Sequence, residues 1–80
     1  MTEQEAIQIV EGNRELLQID TMFKFDSAEK AIVECEKKPN EQGPAADRIA
    51  WIIVLSCRWG IVTIHIDDRT GEILAVRRNR

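Results

Sequence analysis

The sequence predicts an α+β fold, in which one or two N-terminal helices pack on an antiparallel sheet of three to four strands. Two β-branched runs, residues 48–57 and 61–67, are separated by only three residues, and a third run, residues 72–78, follows a turn. Short runs of valine and isoleucine between turn residues are typical of strands. Residues 48–78 are therefore predicted to form a meander that the upstream helix covers on one face.

Composition and charge limit the classes of function. The chain has 80 residues, 44% of them hydrophobic, which suits one domain over residues 1–80. The formal net charge of −3 argues against a nucleic-acid partner, because binding phosphates requires a basic surface. The longest apolar run, residues 49–55, is too short to span a bilayer, and no signal-peptide pattern precedes it. We expect a cytoplasmic protein with no membrane partner.

The first predicted element is a helix that begins after Thr2. Thr2 and Glu5 have the spacing of a capping box, in which each side chain accepts a hydrogen bond from the other residue's amide. The apolar positions that follow recur at helical spacing and predict a buried face: Ala6, Ile9 and Val10. Gly12 is predicted to end the helix in the left-handed conformation.

Residues 13–25 allow two interpretations. Leu16, Ile19 and Phe23 share a helical face, and Asn13 would cap a second helix from residue 14 to about residue 23. The same residues also alternate with a period of two, which is typical of a strand. We favour the helix because Gly12 is typical of the end of one helix and Asn13 of the start of the next.

Residues 30–38 are predicted to form a further strand, because small and apolar residues alternate there with polar ones. The competing interpretation is a helix that begins after residues 26–29 and stops at Pro39. Residues 39–44 hold both prolines and are predicted to be a loop. The two cysteines, Cys35 and Cys57, have neither Cys-x-x-Cys nor metal-site spacing and are expected to be reduced thiols.

A two-residue hairpin turn at Trp59-Gly60 would set the register of the meander. The expected cross-strand pairs are Leu55–Ile64, Ile53–Ile66, Ile66–Ile73 and Ile64–Ala75. The side of the sheet that carries these residues, together with Trp51, Cys57 and Val62, is predicted to be the core. A slip of one residue in the turn would exchange the two faces in the later strands.

The opposite side of the sheet is predicted to carry an interaction patch. Its residues are more apolar than a solvated face requires: Ile52, Val54, Thr63, His65, Leu74 and Val76. We expect this patch to bind a protein partner, whose identity the sequence does not give, or a second copy of the chain in a homodimer. Coverage of the patch by residues 39–47 or by residues 13–25 is an alternative of equal weight.

The sequence predicts no catalytic residues, no metal site and no cofactor. His65 is the only histidine and has no evident partner to orient its ring, so general acid–base catalysis is not expected. The carboxylates near the last turn do not match a calcium loop. These residues are predicted instead to form a structural turn, in which an aspartate accepts backbone amides and glycine supplies positive φ: Asp67, Asp68, Thr70, Gly71 and Glu72.

Three segments resemble PepSY-type domains. They are EQEAIQIV (residues 3–10), AWIIV (residues 50–54) and VTIHIDDRTGEIL (residues 62–74). The last two match the pattern of a tryptophan-led strand followed by a strand that closes before Thr-Gly-Glu. The resemblance implies a helix on an antiparallel sheet in the cystatin-like manner. It also implies a non-catalytic module of a kind that often inhibits or regulates proteases or belongs to cell-envelope proteins.

Two hypotheses for function follow. The first is a small, non-catalytic, intracellular interaction or regulatory module, PepSY-like, that acts as a homodimer or as an inhibitor or other partner-binding protein. The alternative is a small-ligand-binding or enzymatic domain that uses the concave face of a cystatin-like sheet, with His65, Asp67 and Asp68 as its polar groups. A flat apolar face would favour the first, and a deep pocket with converging polar groups the second.

Overall fold

A computed structural model describes residues 1–34 and 47–79 of the chain. In chain order the elements are α1 (Glu3–Gly12), β1 (Lys24–Glu34), β2 (Asp47–Cys57), β3 (Gly60–Asp67) and β4 (Ile73–Asn79). Each strand pairs antiparallel with its neighbour in sequence, so the sheet has the order β1-β2-β3-β4. The predicted α+β class and the predicted meander are confirmed, with four strands and one helix in the described part of the chain.

Helix α1 begins as predicted and ends differently. The Glu5 amide donates to Thr2 Oγ1 at 3.2 Å, and the Thr2 amide donates to Glu5 Oε1 at 3.0 Å, which completes the capping box. Gly12 does not adopt positive φ, so the prediction of a left-handed end at this residue is wrong. The helix is capped by Asn13, at φ −115°, whose side-chain amide donates to the carbonyl oxygen of Ile9 at 2.7 Å.

Residues 13–23 form one helical turn and a loop, so the prediction of a second helix is wrong. Gln18 adopts the left-handed conformation, with φ 57°. Its amide donates to Glu15 O at 3.1 Å, and the Ile19 amide donates to Arg14 O at 2.9 Å. This pair of bonds is a Schellman motif, which ends a helix. It turns the chain so that Ile19, only 5% exposed, packs into the core.

Arg14 holds the rest of this loop in place. Its guanidinium donates to the carbonyl oxygens of Phe23 at 2.9 Å and Asp20 at 3.0 Å, and it pairs with Glu11 at 2.8 Å. These bonds satisfy two main-chain carbonyl groups of the loop. The segment is therefore stable as a loop even though its apolar residues have helical spacing.

Strand β1 confirms the strand interpretation for the first part of residues 30–38 and begins earlier, at Lys24. The remainder of that segment, the predicted proline-containing loop and Cys35 lie outside the described residues. The pairing of β1 with β2 shifts by one residue between Phe25 and Ser27. At this bulge two residues of β1 lie opposite one residue of β2. Before and after it, the side chains alternate between the two faces of the sheet.

The β2–β3 turn consists of Arg58 and Trp59, and the predicted turn one residue later is wrong. The observed pairs are Cys57–Gly60, Leu55–Val62, Ile53–Ile64 and Trp51–Ile66. No residue of the observed turn has a positive φ. The error moves each pairing by two positions, which preserves the faces. The predicted core side of β2 and β3 is therefore confirmed.

A second bulge lies where β3 meets β4. The observed pairs are His65–Ala75, Ile66–Ile73 and Ile64–Val76, so Leu74 is the extra residue. The predicted pairing of Ile64 with Ala75 is wrong, because the extra residue shifts the register after Ile73. Val76 consequently packs against the core, and its predicted place on the opposite face is also wrong.

The core lies between α1 and one face of the sheet, which we call the inner face. Its fully buried side chains come from the helix and the two central strands: Ala6, Val10, Ile53, Leu55, Val62, Ile64 and Ile66. We call the opposite side of the sheet the outer face. Within residues 1–34 and 47–79, no helix has the length and apolar character needed to cross a membrane.

Candidate functional site

The outer face carries the candidate site. Alternation along the paired strands brings four of the six predicted patch residues together at its centre, and we call them the outer patch: Ile52, Val54, Thr63 and His65. All four are half-buried by their neighbours and remain in contact with solvent. The helix and the apolar side chains of the following loop pack on the inner face. Among the described residues, therefore, none of these apolar elements covers the outer patch.

Of the other two predicted patch residues, one lies on the inner face and the other is the extra residue of a bulge. Val76 belongs to the inner face, and Leu74 lies at the β3–β4 bulge, half-buried. Ala75 takes the β4 position beside His65 that the prediction gave to a larger side chain. The patch residues of β2 are therefore apolar, whereas the β4 residues paired beside the patch are Ala75 and the charged Arg77.

Two charged residues that the prediction missed flank the outer patch. Glu29 of β1 pairs with Ile52, and Arg77 of β4 pairs with Thr63. Both side chains are exposed. The period-two alternation of β1 carried a signal for Glu29, but its position beside the patch depends on the β1–β2 register. The position of Arg77 beside Thr63 likewise depends on the β3–β4 register.

His65 is surrounded by apolar and cationic groups. Burial is the main reason that its pKa is lowered, and the nearby Arg77 guanidinium lowers it further. Both effects favour the neutral imidazole. Its cross-strand neighbours are Ile52 and Ala75, and no described residue forms a hydrogen bond with its ring. This environment lacks the orienting partner that a general base requires.

The β3–β4 turn is built around Asp67, which is only 5% exposed. Its Oδ1 atom accepts from the amides of Arg69 at 2.7 Å and Thr70 at 3.1 Å, and its Oδ2 atom accepts from Arg48 at 3.3 Å. Gly71 has φ 76°, and its amide donates to the Asp67 carbonyl oxygen at 2.9 Å. The predicted turn chemistry is confirmed for these two residues.

Asp68 points to a different set of partners, on the inner face. Its Oδ1 atom accepts from the Trp51 indole at 2.9 Å and lies 3.5 Å from both the Lys30 ammonium and the Met1 amino group. Burial acts to raise the pKa of Asp68, but Lys30 and the Met1 amino group outweigh it, so the pKa is lowered. Lys30 also lies 5.3 Å from the centre of the Trp51 ring, a cation–π distance.

The remaining turn residues have structural partners as well. The Glu72 amide donates to Thr70 Oγ1 at 3.2 Å, and the Glu72 carboxylate lies 3.9 Å from Arg48. Asp67 and Asp68 are thus engaged on opposite faces and do not converge with His65. Within the described part of the chain, no three histidine, cysteine or acidic side chains are grouped so as to hold a metal ion.

Asp67 links the stability of the fold to pH. The amides of Arg69 and Thr70, followed by Arg48, hold its pKa below the ordinary 3.8. The resulting stabilisation is complete above the unfolded-state pKa and is lost as the pH falls through the folded-state pKa. We expect Asp67→Asn to lower the free energy of unfolding at pH 7 and to flatten its decrease in acid. Urea unfolding from pH 7 to pH 2 measures this, and two parallel pH curves would contradict it.

A groove of about 380 Å³ lies at the end of the sheet beside the β2–β3 turn. It is lined by Phe23, Trp59, Gly60, Ile61, Val62, Arg78 and Asn79. The Arg78 guanidinium donates to the carbonyl oxygens of Leu17 and Gln18, so it anchors the neighbouring loop. The groove contains none of the three polar residues that the ligand-binding hypothesis names, His65, Asp67 and Asp68.

The arrangement as a whole combines an apolar surface with acidic groups that already have partners. An apolar patch with charged margins lies on the outer face, and the acidic groups nearby are already occupied by backbone amides and basic side chains. Comparison with known proteins adds no assignment, because no family model, no curated protein and no solved structure matches this chain.

Proposed function

We propose that this protein is a small, non-catalytic interaction or regulatory module that binds a protein partner through the outer patch. One observation carries the proposal: Ile52 and Val54 lie in contact with solvent at the centre of the sheet face opposite the core. An antiparallel sheet with one solvated face normally alternates apolar and polar residues along each strand. Large aliphatic residues on both faces of β2 indicate that the outer face is used for contact.

The surrounding chemistry favours binding over catalysis. His65 has no orienting partner, and the Asp67 carboxylate accepts two backbone amides and an arginine. Active sites require polar groups that converge on one point, which these do not. The resemblance of residues 3–10, 50–54 and 62–74 to PepSY-type domains supports the same function. The free thiol of Cys57 suits a reducing compartment, so we place the protein in the cytoplasm.

Affinity capture from an extract of the source cell tests this function, with Val54→Glu as the decisive variant. Val54 is half-buried on the outer face, so a carboxylate there should leave the core intact and yet disrupt any surface that packs on the patch. We expect capture of the partner to fall at least tenfold, which corresponds to about 1.4 kcal/mol.

Ile32→Glu is the matched control, because it introduces the same charge in place of another aliphatic strand residue. Ile32 is 72% exposed on β1, away from the outer patch, so this variant should capture the partner as the wild type does. Equal capture by wild type and Val54→Glu would contradict the proposal. Loss of cooperative unfolding in Val54→Glu would show instead that Val54 belongs to a core.

A further inference from the structure

We propose that the partner at the outer patch is a second copy of this chain, docked face to face about a two-fold axis that runs parallel to the strands. The inference rests on the proposed function and names the partner and its orientation. It is carried by the placement of opposite charges at the two margins of an apolar face. A surface that pairs with itself is related to its copy by a two-fold axis, so its own charges must be mutually complementary.

The outer face has an acidic margin and a basic margin. Glu29 lies on β1 in the same row as Ile52 and His65, and Arg77 lies on β4 in the adjacent row with Val54 and Thr63. Each charged side chain is exposed, while the residues between them are uncharged or apolar. The charges therefore lie on opposite sides of the patch, separated by two strands.

Two in-plane axes would stack the outer face on itself, and the charges distinguish between them. An axis perpendicular to the strands places β1 over β1 and β4 over β4, so that Arg77 approaches Arg77 of the second copy. An axis parallel to the strands places β1 over β4. Glu29 of each copy then meets Arg77 of the other, which gives two symmetric ion pairs. Like charges facing each other across an interface cost binding energy, so the parallel axis is favoured.

The distances allow these ion pairs to form. Stacked sheets lie about 10 Å apart, and rows on one face are about 7 Å apart along a strand. Glutamate and arginine side chains are long enough to span this offset between them. Arg48 contributes little repulsion, because Asp67 and Glu72 lie beside it. Lys24 lies over Asn79 on this axis, one row from Arg77 of the second copy, and opposes the attraction of Glu29. Asp26, exposed at the β1 bulge between Lys24 and Glu29, restores a net negative charge to this margin.

The size of the face sets the strength of the dimer. Four strands about 4.8 Å apart, over about seven residues at about 3.4 Å each, give a planar footprint of roughly 450 Å². A stable interface buries about 800 Å² on each partner. The contact is therefore at the lower end of specific interfaces. We infer a transient dimer that forms as the concentration rises, rather than one present at every concentration.

Charge exchange tests the axis directly. Sedimentation equilibrium at low ionic strength, over a wide range of protein concentration, would compare wild type, Glu29→Arg, Arg77→Glu and the variant that carries both. Each single substitution makes the facing margins alike, so we expect the dimer to weaken at least tenfold. The double variant restores opposite charges and should recover most of that loss. Glu15→Arg makes the same change in net charge at an exposed site outside the patch and should leave the dimer unchanged.

Each outcome separates this inference from the proposed function. A wild type that stays monomeric at every concentration overturns the inference, whereas the proposed function stands if another protein is captured through Val54. A dimer that tolerates both single substitutions, or that the double variant does not restore, overturns the proposed axis. Weakening by Glu15→Arg to the same extent as by Glu29→Arg would show a general effect of net charge and would overturn the specific pairing.

Discussion

Replacing Ile53 with alanine should lower the free energy of unfolding by about 2–5 kcal/mol, the range for a large aliphatic side chain removed from a core. Ile53 has no exposed surface, and its cross-strand neighbours are Ala28 on β1 and Ile64 on β3. An 80-residue domain has a total stability of roughly 4–12 kcal/mol, so this loss is a large share of it. Urea unfolding of wild type and variant measures the difference.

Ile49→Ala is the matched control for Ile53→Ala. Both residues belong to β2 and point to the same face, but Ile49 is 54% exposed. Removing a side chain that is already in water leaves no cavity, so this variant should cost less than about 1 kcal/mol. Equal losses for the two variants would show that the core is not centred where β2 and β3 meet beneath α1.

Replacing Gly71 with valine should have the second largest effect. Its φ of 76° lies in the left-handed region, where a β-branched residue is strained by about 1–2 kcal/mol. A β-carbon at this position would also lie 3.1 Å from Ile9 Cδ1 and 3.2 Å from Met1 Cε, so the ends of these two side chains would have to move by a few tenths of an ångström. We expect the free energy of unfolding to fall by at least the strain term, measured by denaturant titration.

Gly12→Ala provides the contrasting glycine substitution. A β-carbon at Gly12 would meet no atom within 4 Å, and the residue ends α1 without positive φ. Alanine there should be neutral or should stabilise the protein by up to about 1 kcal/mol, because it reduces the freedom of the unfolded chain. If Gly71→Val were as harmless as Gly12→Ala, the turn between β3 and β4 would be wrongly assigned.

The faces of the central strands could be predicted from the sequence, and their register could not. Apolar residues at every second position of β2 and β3 identify the inner face for any register that is shifted by two. Arg58-Trp59 and Trp59-Gly60 are both available as two-residue turns, and they differ by such a shift. The turn that forms is Arg58-Trp59. It uses no positive φ, and in it the Trp59 amide donates a hydrogen bond to Cys57 Sγ at 3.3 Å.

The bulge at Leu74 and the loop after α1 depend on contacts that the spacing of apolar residues does not encode. One extra residue in β4 moved Val76 from the outer face to the core. The residues after Asn13 have the apolar spacing of a helix, but Gln18 and the Arg14 guanidinium end the helix after one turn. Alternation placed the four residues of the outer patch correctly. Its charged margins needed the pairing of the outer strands, which depends on both bulges.

The order of the strands determines how the entropy cost of folding is distributed along the chain. The β2–β3 connection contains two residues and the β3–β4 connection contains five, so closing these loops costs little. Helix α1, in contrast, contacts β2, and the whole of β1 and the residues after it lie between these two elements in the sequence. Closure entropy rises with the logarithm of loop length, by about 0.6 kcal/mol for each doubling. The docking of α1 on β2 therefore has a larger closure cost than the β2–β3 and β3–β4 hairpins.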